Sequence, residues 1–126
     1  MHAIDTNVLV RLATRDEPKQ VAAADTFVAK GAWVSHLVLV ETIWVLSAVY
    51  ELSPREIATA VEMFLNHEQL SLQESETVSA ALQHYRKKPS LWFSDCLILE
   101  AARRAGHVPL GTFDRDLAKL DGAQKL

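Results

Sequence analysis

Cysteine is almost missing from the chain: Cys96 is the single one in 126 residues. One thiol excludes an internal disulfide, a CxxC redox pair and a cysteine-based zinc site. Glycine and proline number four each, and 49% of the residues are hydrophobic, which argues against disorder. Long apolar runs are also lacking. The longest, residues 37–49, is broken by Glu41, Thr42 and Ser47, and covers about 13 residues where a bilayer needs ~20. No basic–apolar–small leader pattern is present, because Ile4 is followed at once by Asp5, Thr6 and Asn7. The expectation is a cytoplasmic protein without membrane contact. Neither GxxxxGK[ST] nor GxGxxG occurs, so nucleotide-cofactor readings lack support. A basic surplus is missing too: 13 Lys+Arg face 16 Asp+Glu, a net charge of −3. At first sight that balance argues against a nucleic-acid binder.

What is present is an alternation of short apolar runs with helical periodicity. Val21, Ala24 and Val28 lie on one helix face behind Asp16 and Pro18. Ile57, Ala60, Val61, Phe64 and Leu65 fit the helical template without a gap. Ser53-Pro54-Arg55-Glu56 is a capping box with proline in the first turn. Val78, Ala81, Leu82 and Tyr85 predict another helix, and so do Ile98, Ala101, Ala102 and Ala105, stopped by Gly106. Candidate strands fall at 1–4, 32–34, 70–72 and 108–111, with a weak fifth near the C-terminus. Alternating strands and helices predict βαβ units and a mostly parallel sheet. The expected architecture is one α/β domain over residues 1–126, a three-layer α/β/α sandwich around four to five strands.

Such sheets bind ligands beyond the carboxyl ends of their strands. Asp5 directly follows the first strand, and Asp114 follows the 108–111 strand. Glu41 lies in the helix after the second strand, and Asp95 starts the helix before the fourth. Glu41 has Leu37, Val38, Trp44 and Val45 as its helix-face neighbours. If buried there, it needs a metal, a cation or several donors; otherwise it lies on a partly exposed helix. Each of the others has a structural reading as well. Asp5 can end a strand in an Asp-Thr-Asn turn. Asp114 can cap the last short helix, assisted by Asp116, and Asp95 can serve a helix dipole behind Ser94.

Taken in order, four blocks resemble the PIN-domain nucleases, and in particular the VapC toxins of toxin–antitoxin pairs. They are Ile4-Asp5-Thr6-Asn7-Val8-Leu9, Val34-Ser35 with Glu41, Phe93-Ser94-Asp95-Cys96-Leu97-Ile98, and Thr112-Phe113-Asp114-Arg115-Asp116-Leu117. The resemblance implies a PIN-like fold and an acidic site made of Asp5, Glu41, Asp95 and Asp114, all as metal ligands. It implies supporting roles for Thr6, Asn7 and Thr112, with Asp116 assisting through water. It further implies an endoribonuclease leaving 5′-phosphate and 3′-hydroxyl ends, a homodimer, and a VapB-type antitoxin as partner. The chain departs from the family at its far end, where few residues remain for a fifth edge strand.

The chemistry agrees with those residue types. Mg²⁺ or Mn²⁺ prefers oxygen ligands, and converging carboxylates repel one another until a cation joins them. With the four acids set aside, the remaining acidic and basic residues nearly balance, so RNA binding is expected to depend on metal and on local bases. Arg11, Arg15 and Arg115 are candidates for contact with the RNA backbone, whereas Arg86-Lys87-Lys88 reads as a solvated helix end. The five histidines show no paired ligand spacing. Cys96 reads as a small core residue, and Trp44 as core or subunit interface. The alternatives are an aspartyl-phosphate phosphatase or phosphotransferase using Asp5, a phospho-accepting receiver domain, and a non-catalytic PIN-like interaction module. In the first, Asn7 stands where a second aspartate is wanted. In the second, residues 108–113 lack the required lysine.

Overall fold

The computed structural model describes residues 1–126 and divides into two compact units, Met1–Ser75 and Glu76–Leu126. The first unit runs β1 (His2–Ala3), α1 (Thr6–Thr14), α2 (Pro18–Val28), β2 (Ala32–Val34), α3 (His36–Ala48), α4 (Pro54–Asn66) and β3 (Leu70–Leu72). Its three strands are all parallel, in the order β1-β2-β3. Burial alternates along them: Ala32 and Val34 are buried while Trp33 points out, and Leu70 and Leu72 are buried around an exposed Ser71. This period of two is what a half-covered strand dictates.

Helix α1 is absent from the periodicity reading, and its composition explains why. Thr6, Val8, Val10 and Thr14 are β-branched and weak helix formers. Burial of Leu9, Val10 and Leu12 and packing against α2 and α3 select the helix instead. Asp5 therefore does not end a turn; it caps a helix. The predicted start at Pro54 holds, with both halves of the capping box formed: Glu56 N donates to Ser53 Oγ at 3.2 Å and Ser53 N to Glu56 Oε1 at 2.9 Å.

The second unit contains α5 (Ser75–Lys87), α6 (Phe93–Ala105), β4 (Leu110–Thr112), a single 3-10 turn at Leu117–Lys119 and β5 (Ala123–Lys125). Helix α5 begins one residue before the unit boundary. Gly106 at φ +84° ends α6 in the left-handed conformation that glycine adopts without strain. Strands β4 and β5 pair in parallel over three residues, so the C-terminal strand does form. Inside the unit, Tyr85 and Phe93 meet edge to face, with centroids 5.9 Å apart.

The α/β class, the parallel pairing and the total of five strands match expectation. The single four- to five-stranded sheet does not: the strands form a three-stranded and a two-stranded sheet. No strand exceeds three residues. No helix is long and apolar enough to cross a membrane.

Candidate active site

In the first unit, two of the four acids meet at the start of α1. Asp5 leaves β1 in extended geometry and accepts from Val8 N at 3.2 Å, so its carboxylate faces the positive end of the helix. Thr6, the next residue, donates its hydroxyl to Glu41 Oε1. Ser35 caps α3 by accepting from Val38 N at 3.1 Å, which sets the phase of the helix carrying Glu41. That phase buries Leu39, Thr42, Ile43 and Leu46 and leaves Glu41 on the exposed side. Its neighbours Leu37 and Trp44 are 74% and 60% exposed. The apolar face around Glu41 is thus turned to solvent, because α3 is apolar nearly all round and only one stripe can be covered. The exposed alternative for Glu41 is the one realised, and Trp44 is not a core residue.

In the second unit, Asp95 sits in the first turn of α6. Burial pushes its carboxyl above the ordinary aspartate range, and the charge of Asp114 pushes it further the same way. Asp114 is oriented from both sides. Its backbone N–H donates to Thr112 Oγ1 at 2.9 Å, and its Oδ1 accepts from Leu117 N at 2.8 Å. Thr112 therefore supports the acid-bearing loop, and Asp114 does cap the last short turn. Asp116 is held well below its ordinary value by Lys88, whose Nζ lies 3.2 Å away, with Lys119 at 3.7 Å. Cys96 is fully buried; burial and the Asp95 charge push its thiol up to about 11, which keeps it protonated at neutral pH.

The candidate backbone contacts fall into two groups. Arg11 donates Nε to Gln20 Oε1 at 2.5 Å and Nη1 to Tyr50 Oη at 3.1 Å and Asp16 Oδ1 at 3.3 Å. Arg15 is paired with both carboxylate oxygens of Asp25, at 2.7 and 3.3 Å. Both guanidiniums are occupied within the first unit, whereas Arg115 is exposed. Asn7 is exposed too and lines a cleft of about 450 Å³ together with Asp5 and Arg11. A larger opening of about 620 Å³, lined in part by Tyr50, Arg55 and Met63, contains none of the four acids.

Lys88, expected from the run 86–88 to belong to a solvated helix end, is instead the partner of Asp116. Phe27 breaks the buried stripe of Val21, Ala24 and Val28 and is 46% exposed.

The donor chemistry suits a hard divalent cation. No group of three or more His, Cys, Asp and Glu side chains stands at metal-holding spacing. What the structure offers is Glu41 tied to the residue after Asp5, and Asp95 repelled by Asp114. Mg²⁺ takes one or two carboxylates and keeps several waters, so a pair of acids within one unit suits it. Repulsion between two acids is also what a cation relieves.

Both units pair their strands in parallel, with Asp5 and Asp95 at helix starts and Asp114 after a late strand. One family model, described as PIN domain, matches residues 3–123 and so runs through both units. The chain belongs to the PIN-domain family. PIN domains are commonly nucleases, and they generally use divalent metals. A search of curated proteins gave no match.

Proposed function

We propose that this PIN protein is a metal-dependent endoribonuclease and the toxic component of a type II toxin–antitoxin pair of the VapC kind. The observation that carries the reading is Asp95, a partly buried acid in the first turn of α6, opposed by the charge of Asp114 in the loop just after β4. Asp5, Glu41, Asp95 and Asp114 are the proposed ligands of Mg²⁺ or Mn²⁺. When bound, the ion supplies an activated water and offsets charge on the phosphodiester. Thr6 holds the Glu41 carboxylate, and Thr112 holds the backbone that presents Asp114. Asp116, with Lys88 beside it, is the acid proposed to assist through water. Arg115 supplies exposed positive charge next to Asp114 in the chain, and Asn7 a neutral donor close to Asp5.

One domain, residues 1–126, acting in the cytoplasm is part of this reading, as are a homodimer and a VapB-type antitoxin. Exposed Leu37 and Trp44 on α3 support a protein contact on that face.

The test is incubation of the purified protein with structured RNA and Mn²⁺ or Mg²⁺. Cleavage should leave 5′-phosphate and 3′-hydroxyl ends, stop with EDTA, and be lost in Asp5→Asn and Asp95→Asn. Cleavage that survives EDTA would sink the mechanism. Expression should arrest growth, and co-expression of the neighbouring upstream reading frame should relieve it. Soluble protein without a growth effect would remove the toxin role.

A further inference from the structure

The cleft between α1 and α2 lies wholly inside the first unit, and one end of it is Asp5. At about 450 Å³ it is in the size range of small-ligand sites. Val8 and Ala23 give it apolar walls, and Phe27 adds an aromatic ring that remains 46% exposed. The His2 imidazole, which is not part of the cleft lining, rests against that ring with centroids 5.1 Å apart and so steadies it. Arg11 and Gln20 close the polar rim. Their 2.5 Å bond joins α1 to α2, and Tyr50 and Asp16 accept from the same guanidinium. An aromatic ring with a neighbouring imidazole against it, apolar walls and an amide on the rim suit a planar, hydrogen-bonding heterocycle.

We propose that this cleft is a nucleobase subsite: it takes the base of an RNA nucleotide whose phosphate lies at Asp5, stacked on Phe27 and edged by Gln20. The assignment deepens the nuclease reading and rests on it for the position of the phosphate. A stacked base beside the acid would fix which phosphodiester reaches the metal, so the cleft selects the bond to be cut. Stacking on an aromatic ring tolerates any base. The single amide of Gln20 adds only a modest preference, and the selection is one of position more than of letter.

The experiment follows the methyl signals of Val8 and Ala23 by NMR in the full chain with Mg²⁺. The probes are AMP, GMP, CMP and UMP, with ribose 5-phosphate as the base-free control. At least one nucleotide should move both methyls and bind about tenfold tighter than the control, the size expected of one stacked base. Phe27→Ala should erase that margin and Phe27→Trp should keep it. Ala23→Leu fills the cleft from an exposed helix position and should abolish the shifts. On RNA, Phe27→Ala should raise KM about tenfold with kcat little changed.

Equal binding of nucleotides and ribose 5-phosphate overturns the assignment. So does a margin that survives Phe27→Ala. If no nucleotide moves the methyls while Asp5-dependent cleavage persists, the subsite fails alone, and the apolar cleft falls to a protein side chain. If nucleotides bind as described but no metal-dependent cleavage occurs, the subsite stands and the nuclease reading fails.

Discussion

The Thr6 hydroxyl donates to the Glu41 carboxylate, across 35 positions of sequence. Asp5 caps α1 one residue before Thr6, so a single short segment holds one acid and positions a second. Thr6→Val keeps the shape and removes the donor. We expect RNA cleavage to fall about tenfold, the lower end for a group that orients a metal ligand. Thr6→Ser should retain activity. Folding stability should change by less than about 1 kcal/mol, since the hydrogen bond is solvent-exposed. Cleavage kinetics beside urea unfolding separate the two effects.

Asp95 gives a pH-dependent prediction. Its folded-state carboxyl titrates above the ordinary aspartate value of about 3.9, from burial and then from Asp114. The folded protein therefore binds this proton more tightly than the unfolded chain does. Stability is lost as pH rises from that ordinary value through the folded one, and the loss is complete above it. Asp95→Asn should raise Tm at pH 7 without metal and give no gain near pH 3. Added Mg²⁺ should raise Tm of the wild type and leave the variant nearly unmoved. Thermal scans at both pH values, with and without the ion, provide the check. A variant less stable than wild type at pH 7 contradicts the argument.

Thr42 on α3 is fully buried, and its hydroxyl has no hydrogen-bond partner. An unsatisfied buried hydroxyl costs about 1–3 kcal/mol. Thr42→Val replaces it with a methyl of the same shape and should stabilise the protein by about 1 kcal/mol. Urea unfolding should show a higher midpoint at an unchanged slope.

Arg103 braces the C-terminal strand pair. It donates Nε to the largely buried Glu100 at 3.1 Å and Nη2 to the Asp121 carbonyl at 2.5 Å. His84 reaches the same Glu100 oxygen at 3.2 Å. Arg103→Ala leaves this carboxylate with one fewer charged partner and should cost about 2 kcal/mol. Gly122, at φ +92°, lies under the guanidinium, and an added Cβ would sit 2.9 Å from Nη2. Gly122→Ala should therefore cost more than about 1 kcal/mol. Exchange of the β5 amide protons should quicken in both variants.

Much of the fold was readable where local signals agreed with burial. The capping box at Ser53 and the short apolar runs at Ala32–Val34 and Leu70–Leu72 produced the elements they predict. Helix α1 was not readable, because its β-branched residues prefer strands and only tertiary burial of Leu9, Val10 and Leu12 overrides that preference. The candidate acids were legible as positions along the chain. Their environments were not: Glu41 proved exposed, and Asp116 is paired with Lys88, 28 residues away.

The sequence alone determined the α/β class with parallel strands and carried the PIN resemblance, because these depend on residue type and on the order of short motifs along the chain. Tertiary structure decided which face of α3 is covered and which arginines are already occupied by Gln20, Asp16 and Asp25. It also decided that the strands divide into two sheets. Those outcomes depend on contacts between residues far apart in the chain, where burial and pairing outweigh local preference.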